Sequence, residues 1–297
     1  ASYRRQRQMC IRDSNRPDHF LNLMNSLQNN ENASKSDIYI FIDGVNDDSH
    51  IESNRKVIEI AEKDWEFESV QITKRNINIG LKENIISGIT EIIDEHKKVI
   101  VLEDDLILSK YFLNFMNHSL NKYENQDKVW HINGFNYKTF LRNSNSSFFS
   151  SHMNCWGWGT WKNNWKELEN NLQNKIKEEE INRFNFDGFI RNNYQQIVLN
   201  EEKKINTWAI FWYQTIFLNS GLCLMPNKSL VYNAGFDGTG INTSEQKYKL
   251  QKLSDTEIAK YPSKIKENSF NKFALKYYFF KLIVDDFISY HSKKITN

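Results

Sequence analysis

The regular alternation of short apolar runs with amphipathic helical patterns most constrains how this chain can fold. The runs DIYIFID, SVQIT and KVIVL have the length of strands, and the residues between them repeat their apolar positions at helical spacing. The clearest helical pattern is LKENIISGITEIIDEH, whose apolar residues form one stripe: Leu81, Ile85, Ile86, Ile89, Ile92 and Ile93. Strands that alternate with helices predict an α/β fold, with a mixed, mostly parallel sheet flanked by helices.

Acidic residues stand at the ends of two of the predicted strands. Asp43 follows IYIFI, and Glu103, Asp104 and Asp105 follow VIVL. Ligands of open α/β sheets bind outside the carboxyl ends of the strands, and adjacent carboxylates repel one another unless a cation joins them. Hard divalent cations prefer oxygen ligands, so the three acids predict a metal site. The alternative is that they only solvate a turn before a helix capped by Ser109.

Composition excludes several other classes of protein. The formal net charge of +2 over 297 residues argues against a nucleic-acid binder, and the Walker and G-x-G-x-x-G phosphate loops are absent from the sequence. The three cysteines, Cys10, Cys155 and Cys223, have no short spacing, so we expect neither a zinc knuckle nor a disulfide framework, and a reducing compartment. No apolar run approaches the roughly 20 residues of a membrane span.

The first 14 residues, ASYRRQRQMCIRDS, differ from the rest of the chain. They are basic, they lack the apolar stretch of a secretory signal, and they show the periodicity of neither a strand nor a helix. Two interpretations stay open: foreign or mistranslated sequence in place of a native first strand, or a disordered basic arm. On neither interpretation is a strand expected here.

Eight stretches of the sequence match one family pattern, in its order. They are NRPDHFLNLMNSL, IFIDG, RNINIGLKENIISGI, VIVLEDDLILSKYFLNFMNHSLNKY, HINGFN, CWGWGTWKNNW, TWAIFW and LVYNAGFDGTG, which together cover about residues 15–243. The set closely resembles glycosyltransferases of the GT-A fold, in particular bacterial enzymes akin to N-acetylglucosaminyltransferase I and family-2-like sugar transferases. The resemblance implies this division: an atypical segment 1–14, a GT-A domain 15–245 with a nucleotide-sugar half 15–135 and an acceptor half 136–245, and a helical tail 246–297.

The resemblance also implies roles for individual residues. Asp105 would be the direct ligand of a divalent metal, Mn²⁺ or Mg²⁺. The residues expected to bind the nucleotide sugar are Asp43, Arg75, Asn78, Gly80, Lys82, Glu103 and Asp104. Trp156, Trp158 and Trp161 would form an acceptor wall, because sugars stack on aromatic rings, although burial in the core is an equally open interpretation of such a cluster.

Two positions depart from the family pattern. Asn242 stands where relatives carry a histidine that completes the metal site, and an amide oxygen is a weaker ligand. Asn206 and Thr207 stand where relatives carry an acid just before a tryptophan, and neither residue can serve as the general base that an inverting transferase needs. Asp237 and Asp187 are the carboxylates considered as substitutes, with loop capping as the alternative role of each.

The function expected from the resemblance is metal-dependent transfer of a sugar from a nucleotide sugar, expected to be UDP-linked, to a glycan or lipid-linked acceptor. We expect the transfer to invert the configuration at the anomeric carbon. We also expect the enzyme to act in polysaccharide biosynthesis. A catalytically impaired relative that only binds nucleotide or glycan is the main alternative, and a nucleotidyltransferase is a third.

The C-terminal tail raises a separate hypothesis about location. Its aromatic residues alternate with lysines, so a helix bearing Phe273, Tyr277, Phe280 and Ile283 could lie on an anionic membrane surface. Packing of the same residues against the main domain is the alternative. The expected location is therefore the cytoplasm, with peripheral contact to the inner face of the membrane as an option.

Overall fold

A computed structural model describes residues 6–12, 15–140, 145–190, 192–237 and 252–295, with only the backbone of 6–12, 286 and 289–295. The strands are β1 Gln6–Arg12, β2 Ser36–Ile42, β3 Ser69–Lys74, β4 Lys98–Glu103, β5 Leu106–Leu108, β6 Val129–Asn133, β7 Ser147–Ser150, β8 Trp158–Trp161, β9 Leu222–Pro226 and β10 Val231–Asn233. The helices are α1 Pro17–Gln28, α2 Ile51–Ala61, α3 Leu81–His96, α4 Phe112–Lys122, α5 Lys162–Trp165, α6 Glu167–Asn171, α7 Ile181–Phe184, α8 Asn192–Glu201, α9 Ala209–Leu218 and α10 Ser269–Ile295.

Eight strands form one mixed sheet in the order β3-β2-β1-β4-β8-β6-β9-β7. β8 pairs antiparallel with β4 and β6, β7 pairs antiparallel with β9, and the remaining neighbours are parallel. β5 and β10 form a separate antiparallel ribbon. Helices flank the sheet, so the predicted α/β class with a mostly parallel sheet is confirmed.

Both faces of the sheet are covered, which explains why β2 and β4 are apolar along most of their length. In β4, Ile100 and Leu102 pack into one core, whereas Val99 and Val101 pack into the core on the opposite face. Strands buried on both sides lose the polar-apolar alternation of a half-exposed strand. The runs DIYIFID and KVIVL are therefore found as the buried strands β2 and β4, as expected.

The expectation that the first residues form no strand is wrong. Gln6–Arg12 is β1, the strand between β2 and β4, and it pairs with β2 along all seven of its residues. A strand enclosed by two parallel neighbours is held by backbone hydrogen bonds along both edges, so it does not need a periodic side-chain pattern. The foreign origin suggested for residues 1–14 stays a hypothesis.

The C-terminal segment packs on α4 and β7. Residues 252–268 run beside β7, with bridges from Ser146 to Lys260 and from Phe149 to Glu267. α10 then buries Ala274, Leu275 and Phe279. No helix among the described residues combines the length and apolarity that crossing a membrane requires.

A buried histidine in β6 makes stability depend on acid pH. The indole N–H of Trp212 donates to His131 Nδ1 at 3.1 Å, and His131 Nε2 lies 3.0 Å from the carbonyl oxygen of Asn154. His131 therefore serves as a neutral ring, and burial lowers its pKa to about 3.

This lowered pKa predicts a loss of stability as the pH falls from about 6.5 towards 3, because only the unfolded chain binds the proton in that window. The contribution is about 1 kcal/mol per pH unit between pH 6 and 5. Urea titrations at pH 6 and at pH 5 give the free energy of unfolding at each pH. Between these two pH values it should fall by about 1 kcal/mol less in His131→Gln than in the unaltered chain. An identical dependence in the two proteins would contradict a neutral His131.

Candidate functional site

Three consecutive acidic residues lie at the carboxyl edge of the sheet. Glu103 is the last residue of β4, and Asp104 and Asp105 form the turn into β5. Asp104 is buried, while Glu103 and Asp105 are partly buried. We call these three residues the acid turn. It lies at the end of a central strand, where open α/β sheets bind their ligands.

An arginine that the sequence analysis did not select balances part of this charge. Arg16, directly before α1, donates through Nη2 to Asp104 Oδ1 at 2.8 Å and to Asp105 Oδ2 at 3.2 Å. The Arg16 side chain is 19% exposed. Burial would lower the pKa of Arg16, but the two aspartates outweigh it and raise this pKa. The turn thus holds a fixed internal cation.

The environment of Glu103, the third carboxyl group, disfavours its charged form. Burial, followed by the charges of Asp105 and Asp104, raises the pKa of Glu103 above its ordinary value, against the opposing effect of Arg16. The neighbouring Cys155 thiol likewise has a raised pKa, from burial first and then from the charge of Glu103. Burial beside the two aspartates thus disfavours a further negative charge on either group.

The β5–β10 ribbon brings a glycine-containing loop onto the acid turn. Asn233 pairs with Leu106, and the amide of Ala234 donates to the carbonyl oxygen of Asp105 at 2.7 Å. A Cβ at Gly235 would overlap the Asp105 carboxylate, so this position requires glycine. The ribbon thereby places Gly235 beside the acids.

The two substitute bases lie in different surroundings. Asp237, two residues after Gly235, is 45% exposed, and its Oδ2 lies 3.0 Å from His19 Nε2. Asp187 instead pairs with Lys276 at 2.6 Å and Lys272 at 3.2 Å. Burial would raise the pKa of Asp187, but these lysines outweigh it and lower the pKa, which weakens Asp187 as a base. The geometry favours Asp237.

Asp43 organises the loop that follows β3. Its Oδ1 accepts from the amides of Gly44 and Ile79, and its Oδ2 accepts from the amide of Gly80, each at 2.9 Å. Asn78 adds a bond from its side chain to the Gly44 carbonyl at 2.8 Å. Both oxygens of Asp43 therefore position the loop expected to cover the nucleotide.

Removal of this carboxylate is expected to be costly. Asp43→Ala leaves three amides without their charged acceptor, which should lower the free energy of unfolding by about 2–4 kcal/mol. Asp48→Ala, at an exposed position of the following turn, is the matched control and should change it by less than about 0.5 kcal/mol. Urea denaturation of both variants provides the test, and equal effects would contradict the role assigned to Asp43.

The other two loop residues make contacts within the protein. Arg75 donates to Asn84 Oδ1 at 2.7 Å and to Ser87 Oγ at 2.9 Å, both on α3. The ammonium of Lys82 lies 4.5 Å from the centre of the Phe211 ring on α9. These contacts hold the start of α3 beside the loop.

The predicted acceptor wall contains one accessible tryptophan. Trp158 is fully buried, and Trp161 is buried with its indole N–H donating to the Leu120 carbonyl at 3.0 Å. Trp156 is partly exposed and packs edge-on against Phe236, with ring centres 5.4 Å apart. Since Phe236 follows Gly235, Trp156 is the one of the three that is both partly exposed and close to the acid turn.

Asn206 and Thr207, at the position where the resemblance places the general base, make contacts that do not supply a carboxylate. Asn200 binds Thr207 twice, at its amide and at its hydroxyl, both at 2.9 Å, and Asn206 is exposed. Asn242, the expected second metal ligand, lies outside the described residues.

The donor atoms available for a divalent cation are few. Among the described residues, no three His, Cys, Asp or Glu side chains are grouped so as to hold a metal ion. Asp105 Oδ1 is buried and receives no hydrogen bond from any residue that the structure describes. One such oxygen suits a cation like Mg²⁺, which commonly takes one or two carboxylates and completes its shell with phosphate and water.

Comparisons with known proteins find solved structures with a similar fold and low sequence identity. No family model and no curated protein matches the sequence. The fold is similar to S. aureus TarS 1-349 (TM-score 0.48, 10% identity, 77% of this chain and 60% of that one). It is also similar to the mannosyltransferase PcManGT from Pyrobaculum calidifontis in complex with GDP-Man and Mn²⁺ (TM-score 0.40, 6% identity, 74% and 70%).

A longer S. aureus TarS structure gives a TM-score of 0.43 with 11% identity, over 76% of this chain and 36% of that one. The chain thus spans about three fifths of the shorter TarS structure. Because all three TM-scores lie below 0.5, these likenesses carry no information about substrates.

Proposed function

We propose that this protein is a glycosyltransferase that moves a sugar from a nucleotide-sugar donor to a glycan or lipid-linked acceptor. The observation that carries the proposal is the acid turn at the carboxyl edge of the sheet, with Gly235 and Arg16 packed against its carboxylates. The resemblance of eight ordered sequence stretches to GT-A enzymes supports the same conclusion.

The donor would bind along this edge. Asp105, with Asn242 as a further candidate, would hold Mn²⁺ or Mg²⁺, which when bound stabilises negative charge on a departing diphosphate. Glu103 and Asp104 would contact the donor sugar and ribose. Asp43 contributes by orienting the loop that carries Asn78 and Gly80, flanked by Arg75 and Lys82. A UDP-linked donor is part of the proposal.

Asp237 would serve as the general base, and Trp156 would stack the acceptor sugar. The acceptor oxygen forms a bond to the anomeric carbon while the bond from that carbon to the diphosphate oxygen breaks, with inversion. The acceptor proton passes to Asp237, and His19, 3.0 Å from Asp237, orients that carboxylate.

A transfer assay separates this proposal from its alternatives. The full chain is incubated with UDP-sugars, a divalent cation and glycan acceptors, and the release of UDP and glycosylated product are measured. Transfer that is lost in Asp237→Asn supports the proposal. Binding of UDP without turnover would instead support an impaired relative, which the missing acid at Asn206 and Thr207 favours. Release of pyrophosphate from a nucleoside triphosphate would indicate a nucleotidyltransferase.

Peripheral contact with an anionic membrane is a further part of the proposal. One face of α10 exposes Phe273, Tyr277 and Phe280, each more than half exposed, and Phe140 packs edge-on against this face. A cluster of exposed aromatic residues indicates an interaction surface. Exposed Lys281 on the same helix supplies a positive charge suited to anionic lipid.

Vesicle flotation tests the membrane contact. The protein should float with vesicles rich in phosphatidylglycerol, and Phe273→Ser with Phe280→Ser should abolish flotation, since both side chains lie outside the core. Flotation that is unaffected by the double substitution would contradict the membrane contact. So would a protein that self-associates and does not bind vesicles.

A further inference from the structure

The backbone that carries Trp156 is fixed by one buried asparagine. Asn154 Oδ1 accepts from the amide of Trp156, two residues later in the chain, at 2.8 Å. This bond closes an Asx turn, in which an asparagine side chain sets the backbone of the residues that follow it. Because Asn154 is buried, the low local dielectric strengthens the bond.

Asn154 is itself held by two residues of β6. Its amide donates to Asn133 Oδ1 at 2.7 Å. Its carbonyl oxygen accepts from His131 Nε2 at 3.0 Å, since the other ring nitrogen of His131 already accepts from Trp212. Asn133 and His131 are completely buried. A buried network of hydrogen bonds favours one arrangement over others, so Asn154 has little freedom to turn.

The residue after Trp156 is fixed as well. Gly157 has a φ of 62°, in the left-handed region, and its carbonyl oxygen accepts from the amide of Gly134 at 2.6 Å. A Cβ at Gly157 would lie 2.8 Å from a methyl carbon of Val231, so this position requires glycine. Trp156 therefore lies between two fixed backbone positions.

Two phenyl rings hold the indole of Trp156. Its ring centre lies 4.6 Å from that of Phe135 and 5.4 Å from that of Phe236, each pair nearly edge-on at an interplanar angle of 72°. Both phenyl rings are buried, whereas Trp156 stays partly exposed. An aromatic side chain that is ordered before its ligand arrives loses less entropy on binding. The exposed part of this indole is thus suited to contact a ligand.

We propose that Asn154 is a positioning residue, whose side chain holds the Trp156 indole in the orientation that stacks the acceptor sugar. The acceptor's part in this inference rests on the proposed function. Without the Asn154 side chain, the Trp156 amide loses its partner and the turn relaxes, although the backbone of Asn154 keeps its bonds to Asn133 and His131. The consequence is weaker acceptor binding with little change in the chemical step.

Fluorine NMR of the full chain, labelled with 5-fluorotryptophan, tests the positioning without any ligand. The resonance of Trp156 is identified by its absence from Trp156→Phe. We expect this resonance to shift and broaden in Asn154→Ala, while the resonance of the buried Trp158 keeps its position. Asn154→Ser, whose hydroxyl accepts the same bond more weakly, should restore most of the original spectrum.

Asn193→Ala is the matched control, since it removes another buried amide, one that donates to the Phe184 carbonyl at 3.2 Å. It should leave the Trp156 resonance unchanged. An unaltered Trp156 resonance in Asn154→Ala, or an equal change in Asn193→Ala, would overturn the positioning role.

Transfer kinetics with the UDP-sugars and glycan acceptors of the transfer assay test the link to the acceptor. Asn154→Ala should raise the KM for the acceptor about three- to tenfold, the equivalent of one lost hydrogen bond, with kcat within about twofold of its original value. UDP binding, followed by calorimetry, should stay unaltered. An unchanged acceptor KM, or a loss confined to kcat, would overturn the link to the acceptor.

The two readouts keep this inference distinct from the proposed function. Absence of transfer in the unaltered chain would contradict the proposed function and the acceptor link together, while the fluorine spectra would still decide whether Asn154 positions Trp156. Transfer by the unaltered chain with an unchanged Trp156 resonance in Asn154→Ala would contradict the positioning role alone.

Discussion

Replacement of Trp158 by alanine is expected to lower the free energy of unfolding by about 3–5 kcal/mol, the cost of removing a fully buried large aromatic side chain. Trp158 stacks on His131 with ring centres 4.9 Å apart and on Trp208 at 5.5 Å. It also lies on β8, which joins β4 to β6. Its loss would therefore open a cavity where the two halves of the sheet meet.

Trp156→Ala is the matched control for this prediction. Trp156 is partly exposed, so its removal should cost clearly less stability, measured by urea denaturation, while reducing sugar transfer more than Trp158→Phe does. An unaltered stability in Trp158→Ala, combined with lost acceptor binding, would show that Trp158 belongs to the acceptor wall after all.

Replacement of Arg16 by methionine is expected to destabilise the protein by about 3–5 kcal/mol at pH 7, because it breaks the buried ion pairs that Arg16 makes with Asp104 and Asp105. Asp104 and Asp105 are 4% and 13% exposed, so water screens the remaining charges poorly. A divalent cation would then take over the neutralisation. Millimolar Mg²⁺ should raise the melting temperature of Arg16→Met more than that of the unaltered chain.

Arg55→Met provides the control, since Arg55 pairs with Glu52 and Glu59 on the exposed face of α2. Exposed ion pairs contribute little, so this change should leave the free energy of unfolding almost unaltered and show no response to Mg²⁺. Equal losses in the two variants, or no response of Arg16→Met to any divalent cation, would contradict the charge balance described for the acid turn.

The parts of the fold that could be predicted are those whose pattern is local. Continuous apolar runs identified β2 and β4 because both faces of the sheet are covered, and an apolar stripe identified α3. β1 was missed because its position depends on pairing with β2 and β4, a property of distant residues. No local pattern in Gln6–Arg12 reports that pairing.

The candidate site likewise contains residues that the sequence could predict and residues that it could not. The acid turn was visible because three carboxylates after an apolar run are unusual in themselves. Arg16 and His19 were missed because their partners, Asp104 and Asp237, are remote in sequence. The structure shows why they lie at the site: β1 and β4 are parallel and end at the same edge of the sheet, and Arg16 and His19 follow β1 closely in sequence. The tryptophan cluster could not be divided into core and surface, since burial depends on α9, which supplies Trp208 and Trp212.

Calorimetric titration of UDP into the unaltered chain and Asp105→Ala, each with and without Mn²⁺ or Mg²⁺, tests the central claim most directly. The account predicts that UDP binds with the cation present, that chelation by EDTA weakens binding at least tenfold, and that Asp105→Ala abolishes the cation's effect. UDP binding of equal strength in both proteins, or no UDP binding with any divalent cation, would contradict a donor site at the acid turn.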